Sequence, residues 1–253
     1  MSRHHSFYRS PNGFSLPSRN CELYCTPSYY VLEQITSRFP DVLFESCSGG
    51  GGRFDPGMLY YMPQIWTSDN TDAVSRIKIQ YGTSIAYPVS TIGSHVSAVP
   101  NEQLGRVTPI NTRGYVAMSG NLGYELDLTK LSVSEKKEIK KQVEVYKKIR
   151  PIVQFGTLYR LLNPFYGNEA AWCFVSSNAD QAVLFYFNIL SQPAARQRVI
   201  RLRGLDSKTK YEIMNEDGSV TGIFFGDELV NVGITMPIFF GDFRACLFLI
   251  RKV

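Results

Sequence analysis

The chain has 253 residues, 44% of them hydrophobic and 19% charged, and a formal net charge of +5. That length suits one large domain or two ordinary ones, and the composition is that of a folded protein rather than a disordered one. The one basic stretch, Lys136 to Lys148, is interleaved with Glu138 and Glu144, so it reads as a solvated helix face and excludes a nucleic-acid patch.

No apolar run is long enough to span a membrane, and the N-terminal MSRHHSFYRSPNGF lacks the apolar core of a secretory signal. The cysteines at 21, 25, 47, 173 and 246 form no CxxC pair, and the histidines at 4, 5 and 95 give no zinc spacing with them. Neither a metal nor a cofactor is expected, and a reducing, cytoplasmic compartment is the simplest reading. The 15 Tyr and 16 Phe suit β-structure, plain cores and sugar-binding surfaces alike.

Residues 1–26, rich in Ser, Pro, Asn and Arg without a clear period, read as poorly ordered. Val31, Leu32, Ile35 and Phe39 recur at helical spacing and predict a helix over 27–39, stopped by Pro40 and Asp41. Val42-Leu43-Phe44 reads as a short buried strand, followed by the glycines 49–52 and a short helix near Pro56 to Tyr61. A strand is predicted at Gln64–Thr67, a helix over Asp72–Tyr81 with Ala73, Ile77 and Tyr81 on one face, and a third strand at Ile85–Tyr87. This alternation is that of an α/β protein with a parallel sheet.

The α/β part closes near Arg150 with a helix that opens on a Ser132/Glu135 capping box and carries Ile139, Val143 and Tyr146 as its buried stripe. From about Phe155 short strands follow at 158–161, 171–175, 182–186, 198–202, 211–213 and 245–250. Their spacing and intervening turns predict an antiparallel sandwich.

In parallel α/β sheets, ligand-handling residues sit on loops at the C-terminal ends of strands, where Cys47 and Asp69 are expected. The glycine run lets backbone amides approach a ligand, or is simply a flexible turn; it is no phosphate loop, because no GK[ST] follows. Cys47 by itself reads equally as a small core residue, and Ser68-Asp69-Asn70 as a turn or helix cap. Asp72 falls in the first turn of the next helix, where the dipole favours a carboxylate and Arg76 can pair with it. Asp55 lies in a turn, and His95 on a loop after a strand, either facing a ligand or an ordinary loop histidine.

Taken together, ESCSGGGGRFDPGMLYYMPQIWTSDNTDA resembles the matching stretch of family 36 α-galactosidases, the bacterial melibiose- and raffinose-cleaving type. The likeness continues through Arg76, Gln80-Tyr81-Gly82-Thr83-Ser84, Gly93-Ser94-His95-Val96-Ser97, Pro100-Asn101 and Gly120-Asn121-Leu122-Gly123-Tyr124-Glu125. It is strong over residues 27–175 and weaker beyond. The resemblance implies the C-terminal half of a (β/α)8 TIM barrel over 27–153, an antiparallel β-sandwich over 154–253, and a poorly matched segment over 1–26.

It further implies retaining hydrolysis of terminal α-galactosyl residues, in which two carboxylates stand about 5 Å apart across the glycosidic bond. By match to WTSDNTD, Asp69 is the general acid/base, protonated in the first step and ionised in the second. Cys47 and the Gly50 amide would meet the galactose, and Trp66 would pack in the barrel. The family's nucleophile lies in a Lys-Trp-Asp-Met-Asn-Arg stretch, whose tail Met1-Ser2-Arg3-His4 resembles, with Ser2 as a weak substrate-binding candidate. The nucleophile then falls just before Met1. A truncated chain is implied, inactive and prone to aggregate alone, or the C-terminal half of a split enzyme completed by a separate N-terminal half-chain. Its ligand would be an α-galactoside oligosaccharide, and the family resemblance adds a homo-oligomer; no nucleic acid or membrane is expected. The rival reading is a non-catalytic galactoside-binding remnant.

Overall fold

The computed structural model of the chain describes residues 19–253, with side chains from residue 28 onward. Four parallel strands, β1 (Glu45–Ser46), β2 (Gln64–Trp66), β3 (Ile92–Ser97) and β4 (Asn121–Glu125), lie side by side in chain order. Helix α1 (Arg19–Arg38) precedes them. The turn α2 (Ser48–Gly51) and helices α3 (Pro56–Tyr61), α4 (Ala73–Ala86) and α5 (Ile110–Met118) connect them, and α6 (Val133–Phe155) follows. Parallel neighbours require crossovers, and crossovers of one hand put the helices on one face of such a sheet. The loops leaving the C-terminal strand ends are then free to carry a site.

The rest of the chain forms a six-stranded antiparallel sheet. Its order is β10 (Val220–Phe225), β9 (Lys210–Asn215), β12 (Arg244–Lys252), β7 (Gln181–Asn188), β6 (Glu169–Val175) and β5 (Thr157–Leu162). Strands β8 (Val199–Ile200) and β11 (Ile234–Thr235) make a separate two-stranded ribbon, and α7 (Gly226–Asn231) lies between β10 and β11 in the chain.

Strands β6 and β7 are buried on both faces, which is why their sequences are unbroken apolar runs instead of alternating ones. Ala170, Trp172, Phe174, Val183, Phe185 and Phe187 pack with Tyr115 and Val116 of α5 and Val145, Ile149 and Val153 of α6. The opposite face, with Cys173, Val175, Leu184 and Tyr186, packs with Ile200, Leu202, Leu229 and Ile234. The second layer expected of a sandwich is thus a ribbon and a short helix on one side. On the other side it is borrowed from the helices of the parallel sheet.

Several elements differ from the sequence reading. Helix α1 starts at Arg19, so it takes in the end of the segment read as poorly ordered and runs through Pro27. Val42 and Leu43 are exposed, and the strand begins at Glu45; among the described residues β1 pairs with β2 alone. Ile85 and Ala86 end α4 instead of forming a strand; Gly82 does not break the helix, and Tyr87 N still bonds to Thr83 O at 3.0 Å. The third strand is β3, so His95 lies inside a strand and not on a loop. The Ser132/Glu135 capping box is formed, but α6 continues through Pro151 to Phe155. Its buried stripe is Gln142, Val145, Tyr146, Ile149, Ile152 and Val153, with Ile139 and Val143 only half-buried.

The two sheets are joined by polar contacts as well as by apolar packing. Glu216, between β9 and β10, accepts from the Tyr115 hydroxyl of α5 and from Lys141 of α6. Thr112 of α5 donates to the Phe243 carbonyl at 2.6 Å. Close by, Glu138 leaves Oε1 without a hydrogen bond among the described residues. Burial, and then the neighbouring Glu216 carboxylate, hold the Glu138 carboxyl above its usual range. Such a raised group leaves stability intact below the ordinary value of 4.5 and removes it as pH rises through the raised value. Glu138→Gln is therefore expected to raise the Tm at about pH 8 and to leave it unchanged at about pH 4. Calorimetry at the two pH values checks this; an equal gain at both would refute the charge argument.

Candidate active site

The loops that leave β1, β2 and β3 converge. After β1, residues Ser48 to Gly51 have φ of 55, 66, 73 and 96°. They make one left-handed turn, closed by Gly51 N to Cys47 O at 2.7 Å. Residues with a Cβ resist this conformation, which explains the glycine run better than flexibility does. The turn packs directly on the loop after β2: a Cβ on Gly50 would stand 2.6 Å from the Asp69 amide nitrogen and 3.0 Å from Ser68 Cα. Gly50→Ala therefore combines about 1–2 kcal/mol of left-handed strain with a backbone clash. It is expected to lower the Tm and to displace Asp69; an unchanged melting curve would contradict it.

Asp69 itself is exposed, with Oδ1 3.9 Å from the Sγ of exposed Cys47. Burial pushes the other two described thiols, Cys173 and Cys246, up to about 12, so they stay protonated at neutral pH. From the loop after β3, the Gln103 amide reaches the Asp69 carbonyl at 3.5 Å, and buried Asn101 donates to Thr71 Oγ1 at 2.9 Å.

The other aspartates have structural partners. Asp55 caps α3, accepting from Met58 N at 2.9 Å and from the Tyr29 hydroxyl at 3.0 Å. Asp72 caps α4, accepting from the Ser75 amide and hydroxyl at 2.8 and 2.9 Å, and pairs with Arg106. The expected Asp72–Arg76 pair is not formed, because Arg76 turns inward beneath the loop. Its guanidinium donates to Ser68 O at 3.1 Å, Thr67 Oγ1 at 3.1 Å, Gly93 O at 3.0 Å and Gln80 Oε1 at 3.2 Å. Burial lowers Arg76 to about 10, with Glu125 opposing the shift, and it remains a cation at neutral pH.

A stack of side chains continues below. Arg76 lies 4.1 Å over the Trp66 ring, and His95 stacks on Trp66 at 4.5 Å and 15°. The His95 Nδ1 is 3.4 Å from Glu125 Oε2. Gly123, opposite His95 in the register, leaves room for this ring, since a Cβ there would sit 2.5 Å from His95 Cδ2. Trp66 is 7% exposed and so is packed within the sheet. Nearer the start of the strands, Gln64 donates to Glu45 and accepts from Asn121 Nδ2 at 2.8 Å.

Of the residues singled out from sequence, Cys47, Gly50 and Asp69 come together, whereas Ser2 lies outside the described residues. Sequence reasoning missed the roles of Asn101, Gln103, Arg106 and Glu125. Arg76 and Gln80 did leave a signal: they fall on the same helical face as Ala73 and Ile77, and polar groups on a buried stripe imply a bonded network. Among the described residues, no group of three or more His, Cys, Asp and Glu is placed to hold a metal, and no helix is long and apolar enough to cross a membrane.

Residues 15–156 match the family model described as melibiase, more than half of the 253 residues, and residues 169–250 match the glycosyl hydrolase family 36 C-terminal domain. The chain belongs to the melibiase family. Alpha-galactosidase AgaA of Geobacillus stearothermophilus is 59% identical over 225 residues, covering 89% of this chain and 30% of AgaA. Alpha-galactosidase Mel36A of Lactobacillus acidophilus is 51% identical over 225 residues, with 89% and 30% covered. A crystal structure of an AgaA variant in complex with raffinose superposes with a TM-score of 0.89 at 57% identity, over 94% of this chain and 33% of that one. The chain thus spans about a third of the length of these relatives.

Proposed function

We propose that this chain supplies the acid/base side of a retaining α-galactosidase site, with Asp69 as general acid/base and Cys47 and the Gly50 amide at the sugar. The observation that carries the reading is the convergence of these three residues at the C-terminal ends of adjacent parallel strands. The sequential order β1-β2-β3-β4, with helices between, supports half of a (β/α)8 barrel over 27–153, and the antiparallel sheet supports a second domain over 154–253. Cys47, Cys173 and Cys246 are free thiols, which supports a cytoplasmic setting.

In this mechanism the Asp69 carboxylic acid protonates the departing glycosidic oxygen while a second carboxylate attacks the anomeric carbon. The Asp69 carboxylate then takes a proton from the water that releases galactose and restores the acid. Asp55 and Asp72 are committed to helix caps, so neither serves as the nucleophile. The resemblance puts that residue in a stretch that would precede Met1. The complement is either contiguous in a longer protein or a separate half-chain. The substrate is an α-galactoside of the melibiose and raffinose type.

The test is a full-length chimera in which this chain replaces the matching third of AgaA. The chimera is expected to hydrolyse melibiose, and its Asp69→Ala variant to lose that activity. Galactose binding without hydrolysis in an intact chimera would instead favour a galactoside-binding remnant.

A further inference from the structure

We infer that Arg76 is the positioning residue of the acid/base loop: its guanidinium ties the two residues that precede Asp69 to the neighbouring strand β3. The inference rests on the reading of Asp69 as general acid/base and assigns a cause to its placement.

Asp69 is exposed, and among the described residues its side chain has one hydrogen-bonding contact, with Cys47 Sγ at 3.9 Å. It receives no hydrogen bond shorter than 3.9 Å among the described residues, yet proton transfer requires the carboxyl to be held within a few tenths of an ångström of its working position. The constraint therefore has to come through the backbone. Thr67, Ser68 and Asp69 leave β2 as a loop before α4 opens at Asp72. Arg76, one turn into α4 and 1% exposed, turns back beneath this loop. Nη1 holds the Ser68 carbonyl, and Nη2 holds both the Thr67 hydroxyl and the Gly93 carbonyl of β3. Nε donates to Gln80, which is itself fixed by its amide to Val116 O at 2.9 Å and by the Ser94 hydroxyl at 2.6 Å.

One planar fork therefore links helix, loop and adjacent strand. A lysine has the charge but a single nitrogen, so it cannot reach the Ser68 carbonyl, Thr67 and Gly93 in this arrangement. The Trp66 ring, 4.1 Å beneath the guanidinium, sets the plane of the fork.

The experiment uses the full-length chimera and compares melibiose, whose leaving group needs a proton, with α-galactosyl fluoride plus azide, which needs neither the acid nor the base. Arg76→Lys is expected to lower the melibiose-to-fluoride ratio of kcat by about 10- to 100-fold, the scale of a 1 Å misplacement. Thr67→Val, which keeps shape but removes one acceptor, is expected to shift the ratio in the same direction by less, and it serves if Arg76→Lys does not fold. Equal loss on both substrates, or an unchanged ratio in the folded variant, would overturn the inference. An unchanged ratio in Asp69→Ala would instead overturn the acid/base reading itself, so the two failures are distinguishable.

Discussion

Asp69→Ala in the full-length chimera is expected to cut melibiose turnover by roughly 10²- to 10⁴-fold, the range of a lost general acid or base. Turnover of α-galactosyl fluoride should fall far less in the first step, because fluoride departs without a full proton. The second step still lacks its base, so the glycosyl-enzyme should accumulate until azide, a nucleophile that needs no deprotonation, releases it as α-galactosyl azide. The variant is a clean one. The Asp69 side chain is exposed and, among the described residues, has one hydrogen-bonding contact, with Cys47, while Gln103 holds its backbone carbonyl, which alanine retains. Stability should change by no more than about 0.5 kcal/mol. Detection of the azide product by mass spectrometry, together with the leaving-group dependence, checks the role. A uniform loss without azide rescue would assign Asp69 to binding or structure.

Phe185→Ala is expected to destabilise the protein by about 3–5 kcal/mol. The ring is fully buried, stands edge-on to Phe174 at 6.0 Å, and pairs in register with Trp172. It faces the side of the six-stranded sheet that packs against α5 and α6. An alanine leaves a cavity bounded by a sheet on one side and helices on the other, and neither wall can collapse without moving the other. At about 2–4 °C per kcal/mol for a chain of this size, the Tm should fall by roughly 10 °C. A loss under about 1 kcal/mol would mean that the two layers repack independently.

The convergence of Cys47, Gly50 and Asp69 was more legible in the sequence than the element boundaries around it. Glycines in a row, a cysteine and an aspartate after strand-like segments are local features, and their convergence follows from parallel pairing alone. Edges and faces were harder. Val42 and Leu43 carry strand-like chemistry, but they are exposed and the strand begins after them, at Glu45. Ile85 and Ala86 carry the same chemistry, but the helix runs on past Gly82. Strand β10 escaped notice because its Val220, Ile223 and Phe225 are exposed edge residues without a clean alternation. Arg106 could not be matched to Asp72 from sequence, since 34 residues separate them and a helix-spaced arginine was at hand. The polar Arg76 and Gln80 on a buried stripe were the readable clue that was passed over.

The interface between the two sheets also bears on how such proteins can be cut and recombined. The two family matches end at residue 156 and resume at 169, a gap that contains the whole of β5. By sequence that gap looks like a joint. In physical terms it is a strand of the sheet whose inner face rests on α5 and α6, and one apolar cluster draws on Ile77, Tyr115, Ile149, Trp172 and Phe185 together. A cut there leaves each piece with an uncovered wall. A cut between the two sheets is therefore expected to destabilise both pieces, and a transplanted segment should carry the two together.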